Sequence, residues 1–130
     1  MGARYILDTN IIIYYLKGQM SSDTAAFIEK RLFLGNPNLS VITEIELLGW
    51  KMASDEQIEV LKDFIKNSNV LELNENIKNK AIEVRRNYKI KLPDALIAAT
   101  ALVHDLELIT RNTKDFENIK ELKVKNPWNL

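Results

Sequence analysis

Along this chain, short apolar runs alternate with longer stretches in which apolar side chains recur every three or four residues. Runs of the first kind fit strands and those of the second fit amphipathic helices. Strands are predicted over residues 4–8, 38–41, 70–73 and 107–110, with a weaker fifth over 122–125. Helices are predicted between them. Residues 9–17 start beside Asn10, and residues 22–33 have Ser22 or Asp23 as a cap and Ala26, Phe27 and Ile28 as core contacts. Gly35-Asn36-Pro37-Asn38 reads as a turn. Two further helices are expected over 42–52 and 55–67, parted near Ser54-Asp55, and another over 75–88. Pro93 suits the first turn of a helix ending near His104, where its missing N–H costs nothing. Strands alternating with helices imply a parallel sheet covered on both faces. The expected class is α/β, with a mainly parallel sheet of four or five strands between two helical layers.

Composition narrows this picture. With 130 residues, 46% of them apolar, the chain suits one domain over residues 1–130 with a sizeable core. It has no cysteine and one histidine, which excludes disulfides and zinc centres built from thiolates or several imidazoles. Oxygen ligands are left. The apolar stretches fall short of a membrane span, and Met1-Gly2-Ala3-Arg4 shows no signal-peptide pattern, so a soluble cytoplasmic protein without a membrane partner is expected. Net charge is zero, against the broad basic footprint of a nonspecific nucleic-acid coat. The halves differ, however: residues 1–65 hold 6 basic and 9 acidic side chains, a balance of −3, and residues 66–130 hold 12 and 9, a balance of +3. Arg85, Arg86, Lys89 and Lys91 form the densest basic run, with Arg111 and Lys114 further on. Such a run is either a solvated helix face or a local basic surface.

Candidate chemistry lies where strand-like runs hand over to helices. Asp8 ends Tyr5-Ile6-Leu7, Glu46 follows Leu39-Ser40-Val41-Ile42-Thr43, and Asp94 follows Leu92-Pro93. In open α/β sheets, ligand sites lie beyond the strand C-termini, so acids from separate elements can converge there. Three ionised carboxylates about 5 Å apart repel by roughly 3 kcal/mol per pair at an effective dielectric near 20. A cation offsets that cost. Taken singly, Asp8 or Asn10 also reads as a helix cap, and Asp94 as an acid stabilised by a helix dipole. A phosphotransferase of the haloacid dehalogenase type, with Asp8 as nucleophile, needs a second Asp two residues on, where this chain has Asn10. The alanines at 95, 98, 99 and 101 would let the helix after Pro93 lie close to the sheet and fix Asp94 at the strand ends.

Leu7-Asp8-Thr9-Asn10, the run Ser40-Val41-Ile42-Thr43 through Glu46-Leu47, Leu92-Pro93-Asp94-Ala95-Leu96-Ile97-Ala98-Ala99-Thr100-Ala101, Thr110-Arg111-Asn112 and Asn126-Pro127-Trp128 occur in that order. Together they resemble the PIN-domain family, and within it the VapC-type toxin ribonucleases of toxin–antitoxin pairs, over nearly the whole chain. The resemblance implies a PIN-like α/β/α fold and Mg²⁺- or Mn²⁺-dependent hydrolysis of RNA leaving a 5′-phosphate and a 3′-hydroxyl. By motif, Asp8, Glu46 and Asp94 would be the metal-site acids. The family's Thr-x-x-Glu-Leu pattern selects Glu46 over Glu44, and about 200° of helix rotation keeps the two from facing one metal. Where many relatives place a fourth acid after Thr-Arg, this chain has Asn112, with Asp115 three residues later. Asn112 can hold a water or phosphate but adds no charge. Asn112 or Asp115 would complete the site, Asp115 as the acidic candidate, with Thr9, Asn10 and Thr110 as supporting groups.

The resemblance also implies a homodimer whose pockets join in a groove, an antitoxin whose tail enters it, and a tRNA, rRNA or mRNA substrate. An apolar surface around Tyr14, Tyr15 and Trp50 suits either protein contact, and the same rings are candidates for stacking on bases. His104 reads as a helix-end residue. A competing reading takes Asn112 as the mark of a weak site and the protein as an RNA- or protein-binding module.

Overall fold

Tyr5, Ile6 and Leu7 are all buried, as expected of a strand with neighbours on both sides and helices on both faces. They form β1 (Tyr5–Leu7) at the centre of a five-stranded sheet with β2 (Asn38–Ser40), β3 (Asn69–Leu71), β4 (Glu107–Ile109) and β5 (Val124–Lys125). The order is β3-β2-β1-β4-β5, and every pairing is parallel. Among the described residues, six helices connect the strands: α1 (Thr9–Leu16), α2 (Ser22–Leu34), α3 (Val41–Leu48), α4 (Asp55–Lys66), α5 (Glu75–Asn87) and α6 (Leu92–His104). This computed structural model describes residues 4–129; Met1–Ala3, the start of the segment read as lacking a signal-peptide pattern, lie outside the described residues, as does Leu130.

Alternation along the strands sorts the core into two faces. Tyr5, Leu7, Leu39 and Ile109 pack with Ile11, Ile12, Ile28, Leu47, Leu61 and Ile65, from α1 to α4. Ile6 and Leu108 point the other way, onto Val84 of α5, the alanines of α6 and Phe116. Each buried Leu, Ile or Phe contributes about 1.5–3 kcal/mol. The alanines at 95, 98, 99 and 101 are all buried, which lets α6 lie close against β2 and β4. The three-layer α/β/α architecture follows.

Several boundaries differ from those read in the sequence. The third helix starts at Val41 and not 42, because the Ser40 side chain accepts the Ile42 N–H at 3.1 Å and caps it. It stops at Leu48, before Gly49, and residues 50–52 turn away. β5 keeps only Val124–Lys125, since Leu122 is drawn into the core beside Phe116 and Ile119.

Candidate metal-binding acidic site

Leu7 pairs with Ile109, so the next residues, Asp8 and Thr110, emerge side by side at the C-terminal edge of the sheet. This edge lies where the chain order reverses across β1, with β2 and β3 on one side and β4 and β5 on the other. Open α/β sheets bind ligands at such a switch point. The Asp8 N–H donates to the Ile109 carbonyl at 2.9 Å, and the Thr110 N–H to Lys125 at 3.0 Å, locking both positions.

The Asp8 side chain is buried. Its Oδ1 accepts the Thr9 N–H at 2.8 Å, which makes it the N-cap of α1, and its Oδ2 accepts the Thr110 hydroxyl at 2.7 Å. Thr110 in turn accepts the Asn112 N–H at 3.0 Å. Capping and site membership are therefore compatible roles. Burial pushes the Asp8 carboxyl above the usual range; the bonds from Thr110 and Thr9 pull it back, and the charges of Glu46 and Asp115 raise it further.

Glu46 projects from the second turn of α3 toward α1. Its Oε1 accepts the Thr9 hydroxyl at 2.6 Å, and Thr9 shares a 3.1 Å hydrogen bond with the buried Thr43 hydroxyl. The charge of Glu46 acts on both Asp8 and Asp94, whereas Glu44 figures in neither. Geometry thus brings Glu46, and not Glu44, to the Asp8 edge. Asp94 sits in the first turn of α6, two residues after Leu92. Its carboxyl is pushed up to about 6, first by burial and then by Asp8, Asp115 and Glu46, with Lys91 opposing.

Asn112 and Asp115 occupy the loop after β4. Asn112 is exposed and precedes a single 3-10 turn over Thr113–Asp115. That turn swings Asp115 back within electrostatic reach of Asp8 and Asp94. Asp115 supplies at this edge an acidic charge that Asn112 does not. Sequence reasoning did not find the Thr43–Thr9–Glu46 linkage, although the threonine of the Thr-x-x-Glu-Leu pattern was its visible signal.

Among the described residues, no three acidic, histidine or cysteine side chains are drawn tightly enough to hold a metal ion between them. The acids sense one another's charge without closing on one point. Magnesium suits such an arrangement, because it binds one or two carboxylates directly and keeps several of its waters. The donor set is all oxygen. Asn10 adds a buried Oδ1 with no hydrogen-bond partner among the described residues, while its Nδ2 lies 3.5 Å from Asp8 Oδ2. An orphaned buried acceptor beside a buried carboxylate calls for a donor such as an ion-bound water. The residues present therefore fit a hydrated divalent cation.

Other sequence candidates fall elsewhere. The Arg111 guanidinium stacks 4.9 Å from the Tyr14 ring and 4.7 Å from the Trp128 ring, and those two rings meet edge-on at 5.4 Å. Arg111 stays exposed with its guanidinium held against these rings, and Tyr14 is half-buried. Tyr15 is half-buried in the core, and Trp50 is covered by the Lys17 ammonium at 4.8 Å. His104 is the exposed last residue of α6.

Residues 5–122 match the family model described as PIN domain. Ribonuclease VapC10 of Mycobacterium tuberculosis is 32% identical over 124 residues, covering 91% of this chain and 90% of that protein. A toxin–antitoxin complex from Klebsiella pneumoniae superposes with a TM-score of 0.76 at 33% identity, over 97% of this chain and 99% of that one. VapBC-1 from nontypeable Haemophilus influenzae gives a TM-score of 0.79 at 29% identity, over 96% and 98% of the two chains.

Proposed function

Because the chain belongs to the PIN-domain family and aligns with a VapC ribonuclease over 91% of its length, we propose that it is a Mg²⁺-dependent endoribonuclease, the toxin of a toxin–antitoxin pair that stops translation by cutting tRNA, rRNA or mRNA. The observation that carries this reading is the gathering of Asp8, Glu46, Asp94 and Asp115 at one sheet edge, each within electrostatic reach of Asp8, Asp94 or both. Asp8, Glu46 and Asp94, joined by Asp115, would hold a hydrated Mg²⁺ or Mn²⁺, one or two of them directly and the others through its waters. When bound, the cation offers Lewis acidity toward a phosphate oxygen and a water of lowered pKa. Thr110 and the Thr9 N–H fix both Asp8 oxygens, and the Thr9 hydroxyl fixes Glu46, so the donors are oriented before substrate arrives. Asn10 and Asn112 flank the site with amides suited to water or phosphate.

Two partners belong to the proposal. A cavity of about 590 Å³, lined half by apolar side chains such as Leu16, Trp50 and Leu61 and half by polar ones such as Lys17, Glu56 and Gln57, suits an amphipathic segment of an antitoxin. The second is another copy of the chain, for which exposed apolar side chains such as Phe33, Leu34, Ile45 and Met52 are available. No helix among the described residues is long and apolar enough to cross a membrane.

The test is cleavage of total tRNA and rRNA by purified protein, in Mg²⁺ or EDTA, for wild type and Asp94→Asn. Discrete Mg²⁺-dependent fragments that vanish in the variant are expected. Unaltered RNA with a folded, Mg²⁺-binding wild type would leave the binding-module reading in its place.

A further inference from the structure

Next to the acidic cluster, a cleft of about 690 Å³ opens between the α5–α6 connection and the 3-10 turn. Its size falls within the range of about 300–1,000 Å³ common to ligand sites. Asp94 and Asp115 form its acidic end, and the rest of its charged lining is basic: Arg85, Lys89, Lys91 and Lys114. All four cations are exposed, and none makes an ion pair among the described residues. Three lysines outside the cleft pair with neighbouring acids, Lys62 with Glu59, Lys78 with Glu75 and Lys80 with Glu83; what sets the cleft apart is that its four cations line one cavity. Four cations left unpaired around one cavity make a local anion site in a chain whose net charge is zero.

We propose that this cleft is the substrate-backbone subsite, in which Arg85, Lys89, Lys91 and Lys114 hold the phosphates of a single-stranded RNA segment flanking the bond presented to the acids. The inference rests on the nuclease reading above and adds to it where the strand runs. It leaves the acidic edge along the α5–α6 connection and the 3-10 turn. Chemistry alone favours a polyanion over a single phosphate, because the cations come from separate segments, α5, the α5–α6 connection and the loop after β4, and no one phosphate needs all four. The arrangement also has an electrostatic logic. Acids that hold a cation repel a bare phosphate chain, and cations beside them restore attraction for the strand without entering the metal site.

Binding of a fluorescein-labelled single-stranded RNA of about 12 nucleotides, measured by anisotropy in EDTA so that any metal-dependent cleavage is silent, tests this directly. Wild type is compared with the triple variant Arg85→Gln, Lys89→Gln, Lys114→Gln, with Lys89→Glu, and with a control, Lys62→Gln, Lys66→Gln, on α4. The triple variant is expected to bind at least about tenfold more weakly near 0.1 M salt. Its slope of log K against log salt should fall by about 2, at about 0.7 per lost phosphate contact. The control should match wild type. In Mg²⁺, KM for RNA should rise at least as much as binding weakens, while the single-turnover rate at saturating RNA stays within about threefold. Loss of binding with an unchanged salt slope, or unchanged binding and KM in both cleft variants, would overturn the subsite even if Mg²⁺-dependent cleavage persists. Cation-dependent binding without cleavage by wild type would refute the nuclease reading and keep the cleft as an RNA site.

Discussion

Replacing Asp94 with asparagine should make the metal-free protein more stable even as it disables the site. The Asp94 carboxyl titrates at about 6 instead of its ordinary 3.8, through burial and the charges of Asp8, Asp115 and Glu46. At about 1.4 kcal/mol per tenfold change in proton affinity, that rise is worth roughly 3 kcal/mol. Partial exposure and solvent screening reduce it to about 1–2 kcal/mol. Because the folded pKa lies above the unfolded one, the native state binds more protons between these values. The contribution of Asp94 to stability is thus fully present below about pH 3.8 and lost as pH rises through about 6. At pH 7.5 the wild type carries the full penalty. Asparagine removes it, less a few tenths of a kcal/mol of favourable interaction between an acid and the first turn of α6.

For 130 residues unfolding with about 2.1 cal/mol/K each, 1–2 kcal/mol corresponds to a rise in Tm of about 4–7 °C. Melting and denaturant titration in EDTA at pH 7.5 and pH 4.0 provide the measurement. The variant should be the more stable at pH 7.5 and indistinguishable at pH 4.0. Mg²⁺ at pH 7.5 should raise the wild-type Tm and leave the variant nearly unmoved, since only the wild type keeps the full ligand set. An asparagine variant that melts lower than wild type in EDTA at pH 7.5, or a difference independent of pH, would refute the idea that Asp94 sits in a repulsive cluster.

Glu46→Gln should lower Mg²⁺-dependent RNA cleavage by about 100-fold or more, while Glu44→Gln stays within about threefold, as gel assays of both proteins will show. Thr110→Val leaves Asp8 Oδ2 and the Asn112 N–H short of a partner and should cost about 1–3 kcal/mol in denaturant titration. Losing that donor also moves the Asp8 carboxyl further up, so the acid limb of the pH–rate profile shifts to higher pH. Asp115→Asn should raise the Mg²⁺ concentration for half-maximal cleavage several-fold with a smaller effect on the rate at saturating Mg²⁺; an equal loss at all Mg²⁺ concentrations would place Asp115 in a role other than metal affinity.

Strand and helix positions were legible because each apolar run is both short and flanked by polar caps. Tyr5-Ile6-Leu7 and Glu107-Leu108-Ile109 have few other ways to be buried. Boundaries that slipped did so for local reasons that periodicity does not carry: the Ser40 hydroxyl capping Ile42, Gly49 ending α3, and Leu122 leaving the fifth strand for the core. Arg111 illustrates the larger limit. In sequence it belongs with Lys114 as part of a basic stretch, yet its partners Tyr14 and Trp128 lie 97 positions before and 17 after it, and only the folded chain stacks them on its guanidinium.

The acidic site shows a different division between what sequence and structure supply. That Asp8, Glu46 and Asp94 end or follow strands was visible, and parallel order sends such positions to one edge. Which helix face turns inward was legible only through the Thr-x-x-Glu-Leu pattern of the resemblance, since periodicity leaves Glu44 and Glu46, about 200° apart, as rivals. The structure resolves this through Thr9, whose hydroxyl reaches Glu46 only because α1 and α3 leave neighbouring strands at the same edge. Loss of an acid at position 112 reads as degeneracy in sequence, but the 3-10 turn returns Asp115 to the field of Asp8 and Asp94. The edge thus receives a fourth acidic charge from position 115, where the resemblance led to the expectation of one at 112. A site defined by electrostatic field tolerates that shift, and one defined by a fixed ligand at position 112 does not. Asn112→Asp separates the two: under the first it should further raise the Asp94 pKa and destabilise the metal-free protein at pH 7.5, with little gain in cleavage at saturating Mg²⁺. A gain of more than about tenfold under those conditions would show that Asp115 had not taken over the fourth position.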